Sequence, residues 1–132
     1  MRCLLIALCL SGTAAADPCE GDLPTKAGTV FTGITKYIVD GDGLCVGASE
    51  DPGTWVEVRF VDFNAPELQS SEGRKAKEVL SDLALGQSIE CVTTRGRHKR
   101  TRSFDRVHAQ CAIDGASVAS LMREAGVTEG GR

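Results

Sequence analysis

The sequence runs to 132 residues with 15 basic and 18 acidic side chains, a formal net charge of −3, 42% hydrophobic residues and six cysteines. That size fits one domain with a core of its own, and the mild acidity excludes a protein that holds nucleic acid through bulk positive charge.

Residues 1–16 read as a signal peptide: Arg2 is a minimal charged start, Cys3 to Leu10 an apolar run, and Ala14, Ala15 and Ala16 a small-residue cleavage site. The run is too short to span a bilayer. Leu8 before Cys9 also lacks the small side chain that a lipid-anchored cysteine needs, so the expectation is an exported chain, periplasmic or secreted, with no membrane attachment after cleavage. A buried core helix is the alternative reading. Removal of the leader leaves 14 basic and 18 acidic side chains, a net charge of about −4, and four cysteines: Cys19, Cys45, Cys91 and Cys111. In an exported chain an even number favours disulfides. No CxxC spacing is present, which argues against a structural zinc site.

Residues 17–27 are polar, with two prolines, and read as a loosely held arm. The domain proper is expected over 28–127, with 128–132 as a frayed tail. Thr29 to Val39 is rich in β-branched and aromatic residues and predicts a long strand that bulges or bends at Gly33. It ends at Asp40-Gly41-Asp42-Gly43, followed by a short strand, Leu44 to Val46, and a turn-rich stretch, Gly47 to Gly53.

A third strand is expected from Trp55 to Phe63, where Val56, Val58 and Phe60 alternate with Glu57 and Arg59, so Arg59 points away from the core. Pro66 cannot join a strand ladder and keeps Ala65 out of a helix, so the chain leaves the sheet there and places Glu67 at its mouth. Ser70 or Ser71 predicts a helix start, with Ala76, Val79, Leu80 and Leu83 on one face and Gly86 as the stop. Ser88 to Thr94 and Arg106 to Ile113 read as two more strands. Arg95, Arg97, Lys99, Arg100 and Arg102 place five positive charges in eight positions between them, as an extended hairpin tip. Val118, Leu121, Met122 and Ala125 form a last helical stripe closed by Gly126.

Five short strands with a helix after the third predict an α+β, mainly β fold: a five-stranded barrel of the OB type with two to three helices. Side-chain alternation turns Cys91 and Cys111 inward from neighbouring strands and Cys45 outward, so the expected pairs are Cys91 with Cys111 and Cys19 with Cys45. Two buried thiols remain the alternative for the first pair.

Arg59 and Arg106 offer planar forks matched to phosphate oxygens, and Glu67 a carboxylate that accepts a proton from water or orients it. Asp40, Asp42 and Asn64 offer hard oxygens suited to calcium, in a loop that does not follow the EF-hand pattern. Taken alone, the aspartates also suit a plain hairpin turn, Arg59 a surface ion pair, and the basic tip a solvated loop end. The functional reading of Arg97, Lys99, Arg100 and Arg102 is an electrostatic lip for a flexible strand of DNA or RNA. His108, on the outer face of its strand, reads as a surface or ion-paired histidine.

Together, Val39 to Asp42, Arg59 through Ala65-Pro66-Glu67, and Phe104-Asp105-Arg106 resemble the staphylococcal nuclease-like, or thermonuclease, family, over about Gly28 to Gly126. The resemblance implies an OB-fold barrel and calcium-dependent cleavage of DNA and RNA on the 5′ oxygen side. It gives Arg59, Arg106 and Glu67 the catalytic roles. It also gives Asp42 and the Ala65 carbonyl a place at calcium, with Asp40 as a nearby carboxylate.

Three positions depart from the family pattern. Asn64 stands in place of a ligating aspartate, Gly43 in place of a threonine, and Asp105 in place of a glycine, where its carboxylate could pair with Arg106. Asp62 is a candidate to compensate for Asn64. The expected protein is a monomeric phosphodiesterase. The rivals are a catalytically inactive OB-fold module that binds single strands, and a disulfide-stapled envelope protein with no nucleic-acid role.

Overall fold

The computed structural model describes residues 17–130; the leader over 1–16 and the last two residues of the tail lie outside the described residues. The chain forms β1 (Val30–Asp40), β2 (Gly43–Gly47), β3 (Val56–Phe60), α1 (Ser71–Ala84), β4 (Ser88–Thr93), β5 (Arg102–Ser103), β6 (Arg106–Ile113), β7 (Ala116–Ser117) and α2 (Val118–Glu124). The five main strands run in the order β3-β2-β1-β4-β6 through antiparallel pairs. Parallel pairing of Val58 with Val107, Arg59 with His108 and Phe60 with Ala109 then joins β3 to β6 and closes the barrel. Closure removes the unpaired edges that would otherwise template aggregation. The expected α+β, OB-like barrel is present, with two helices and two extra two-residue strands.

The alternation in β3, β4 and β6 sends Val58, Phe60, Ile89, Cys91, Val107, Ala109 and Cys111 into one core with Leu44, Phe63, Leu80 and Met122. Ser70 caps α1, its hydroxyl accepting from the Gly73 amide at 3.0 Å, and Ala76, Leu80 and Ala84 are the face that α1 buries. In α2 the buried residues are Val118, Ala119 and Met122, while Ala125 is exposed, because the helix ends one residue before it.

The disulfides are Cys91–Cys111 and Cys19–Cys45. The first joins residues directly opposed in the β4–β6 pair. The second covers the outward face of β2, and for that reason Cys45 has no exposed surface.

Three local expectations are corrected. The 17–27 arm is not loosely held: besides its disulfide, Glu20 and Gly21 donate amides to the Pro52 and Trp55 carbonyls at 3.2 and 2.8 Å, and Thr93 Oγ1 donates to the Pro24 carbonyl at 2.6 Å. The tail is docked as far as Gly130, whose amide donates to the Asn64 carbonyl at 2.8 Å. The irregularities of β1 fall between Thr35 and Tyr37 and between Ile38 and Asp40, after Gly33, where the strand has left β4 and pairs with β2.

Candidate active site

The turn between β1 and β2 is wedged against α1. A side chain on Gly41 would come within 2.6 Å of the Ala76 Cβ and 2.7 Å of the Ala65 Cβ, so glycine lets the turn lie under the Ala65 segment. Asp42, 5% exposed, then reaches that segment and accepts from the Ala65 amide at 2.8 Å. Asp40 Oδ1 accepts from the Asp42 amide at 3.1 Å. Burial and the neighbouring Asp40 push the Asp42 carboxyl up to about 6, against the opposing pull of Arg59.

Arg59 leaves β3 on the outer face, as the alternation requires, but its fork lies along its own chain. Nη1 donates to the Phe60 carbonyl and, at 3.0 Å, to that of Phe63; Nη2 donates to Asn64 Oδ1 at 2.8 Å and lies 3.2 Å from Asp42 Oδ2. Two of the oxygens expected to hold calcium, Asn64 Oδ1 and Asp42 Oδ2, therefore lie on the Arg59 guanidinium. Their chemistry, carboxylate and amide oxygen, suits a hard cation. Asn64 is further committed through Nδ2, which donates to the Gly130 carbonyl at 3.0 Å. The Ala65 carbonyl is backed by Gly130, where an added Cβ would meet it at 2.9 Å. Asp62 does not join this group: burial raises its carboxyl pKa, and the charges it feels are those of Arg123 and Glu129.

Arg106 stands at the start of β6, next to β3. Its Nε lies 3.5 Å from Glu57 Oε2, so the carboxylate that engages it is Glu57, where the sequence had offered Asp105 as a candidate. Glu57 is 2% exposed, and burial, with Asp17 and Asp105 nearby and only partly offset by Arg106, raises its pKa to about 8. Strand alternation puts Glu57 on the outer face of β3, and Asp17 of the arm and Asp105 of the β5–β6 turn lie against it there.

A cleft of about 430 Å³ brings Arg59 and Arg106 together with Arg97, His98, Arg100 and Arg102 of the basic stretch. The tip is not extended. It curls back over the sheet through a short 3₁₀ turn at Arg97–Lys99, with His98 and Lys99 at φ of 60° and 57°. His108 holds it there. The ring is buried, Nδ1 donates to the Arg100 carbonyl at 2.8 Å, and the Ser103 hydroxyl lies 2.6 Å from Nε2. A carbonyl can only accept, which places a proton on Nδ1.

Glu67 is exposed, and its backbone carbonyl accepts from the Ser70 amide and hydroxyl at 2.9 and 2.7 Å. Among the described residues that line the cleft, Glu67, Lys99, Asp40 and Asp42 are absent. The structure thus unites the two expected arginines with most of the basic tip and places the expected general base outside them.

No family model and no curated protein matches this chain. Any kinship rests on the residues themselves. The positions that sequence reasoning missed, Glu57, Asp17 and Gly130, meet their partners across long separations and carry no local pattern that would have found them.

Proposed function

We propose that the protein is an exported phosphodiesterase that cuts flexible DNA or RNA with calcium assistance. The observation that carries this reading is one cleft lined by Arg59, Arg106 and three arginines of the basic tip. An otherwise acidic molecule concentrates its cations there, which favours a polyanionic backbone. Export is supported by the two disulfides and by the absence, among the described residues, of any helix long and apolar enough to cross a membrane.

In this reading a phosphate entering the cleft takes over the donors of Arg59 from Asn64 and Asp42, and those of Arg106 from Glu57. Both forks strengthen as charge builds on the phosphoryl oxygens. Glu67 orients or deprotonates the water that attacks phosphorus, and the 5′ oxygen leaves with a proton from solvent. Asp42, Asp40, Asn64 and the Ala65 carbonyl would hold calcium, which supplies a Lewis acid for a phosphate oxygen. Asn64 contributes no formal charge to that set, so affinity is expected to be weak.

The test is cleavage of a fluorescent single-stranded DNA by the oxidised mature chain, with calcium and with chelator. Wild type is expected to cut only with calcium, and Glu67→Gln to bind the strand while cutting about 10²–10⁴-fold more slowly. Equal turnover by both proteins removes Glu67 from its role.

A second reading, a binding module without catalysis, is favoured by the placement of Glu67 outside the cleft lining and by the engagement of both arginine forks with their own chain. Salt-sensitive binding by a folded wild type that never cuts supports it.

A further inference from the structure

The face of β3 opposite the core carries a carboxylate cluster apart from the Asp40–Asp42 turn. Glu57 pairs with Cys45 across β2 and β3, and Cys45 is bonded to Cys19, two residues beyond Asp17. Asp17 is turned back by the Cys19 amide, which donates to its Oδ1 at 3.2 Å. From the other side, the parallel register that sets Val58 beside Val107 brings the start of β6 next to Glu57, with Asp105 just ahead of Arg106. One oxygen from each of Asp17, Glu57 and Asp105 lies within 4.8 Å of the other two.

A second observation points to a missing ligand. Glu57 is 2% exposed, and while Oε2 faces Arg106, Oε1 is buried with no hydrogen-bond partner. A buried carboxyl oxygen left without a partner is costly.

We propose that Asp17, Glu57 and Asp105 form a second divalent-cation site, specific for a hard ion of the calcium class. All three donors are carboxylate oxygens. Among the described residues the sulfurs in reach, Cys19 and Cys45, are tied in a disulfide and no imidazole joins the cluster, so soft and borderline metals find no ligand there that they prefer. Asp105 is exposed and Asp17 half-buried, which leaves room for the waters that complete a calcium shell of 6–8 oxygens. A cation there would take the place of the Glu57 proton and give Oε1 the partner it lacks.

The test is calorimetric titration of calcium alone into the oxidised mature chain, with Asp42→Asn as the background so that the Asp40–Asp42 turn is silenced. That variant is expected to keep one site with a dissociation constant of about 0.1–1 mM, the range of extracellular calcium modules. Adding Asp105→Asn, an exposed change that leaves the fold alone, is expected to weaken uptake roughly tenfold or more and to remove the calcium-dependent rise in melting temperature. Glu57→Gln in the same background is expected to do the same. No calcium uptake by the Asp42→Asn chain, or uptake that Asp105→Asn leaves unchanged, overturns the site. The readout involves no cleavage, so it stands or falls independently of the phosphodiesterase reading.

Discussion

The arginine that the sequence marks as catalytic is held by acceptors within five residues of it and by Asp42 across the neighbouring strand. The spacing from Arg59 to Glu67 was legible because a strand, a proline and a capped helix follow one another locally. Glu57 was not, because period-two alternation tells which side of the sheet a residue takes and nothing of what covers that side. Its burial has a measurable consequence. In the native state Glu57 keeps its proton to about pH 8, against an ordinary value of 4.5. Between those limits the folded chain binds more protons than the unfolded one, so stability falls as pH rises. Below pH 4.5 both states are protonated and above pH 8 both are ionised, and this contribution to the slope vanishes. With chelator present, urea midpoints from about pH 5 to 8 are expected to fall more steeply for wild type than for Glu57→Gln; equal slopes would show that burial does not hold the proton. At Gly73, a side chain would sit 1.8 Å from the Glu67 carbonyl. Gly73→Ala should therefore cost about 1–3 kcal/mol in urea unfolding and, if the proposed role of Glu67 holds, slow cleavage by displacing its backbone.

At the scale of elements, the barrel was largely readable. The β-branched strands, the Ser70 cap and the stop at Gly86 are local signals, and all three appear where expected. The basic tip shows the limit of such reading. Its composition gave charge but not direction, which depends on the buried His108 ring and the carbonyl of Arg100 eight residues away. Arg97 and Arg100 line the cleft, where the proposed function would have them meet a phosphate backbone, whereas Lys99 stands outside the lining. Arg97→Glu with Arg100→Glu should weaken single-strand binding and lower the slope of log affinity against log salt by about 0.7 for each phosphate that is no longer neutralised. A salt slope unchanged from wild type would place the strand elsewhere.

Across the whole molecule, both chain segments read as loose ends turn out to be structural. The arm closes over Glu57, and the tail closes over Asn64 and Ala65 through a hydrogen bond that joins residues 66 positions apart and lies beyond any local pattern. The cysteine pairing has a further consequence. Among the described residues the bonds join the first cysteine to the second and the third to the fourth, so neither closed loop encloses or crosses the other. An oxidant acting on the chain as it emerges, amino end first, meets each correct partner before any wrong one. On the exported reading, the chain's oxidation would need no reshuffling. Chain oxidised while it is being exported should gain its two bonds as fast without disulfide isomerase as with it, and acceleration by the isomerase would reveal mispaired intermediates.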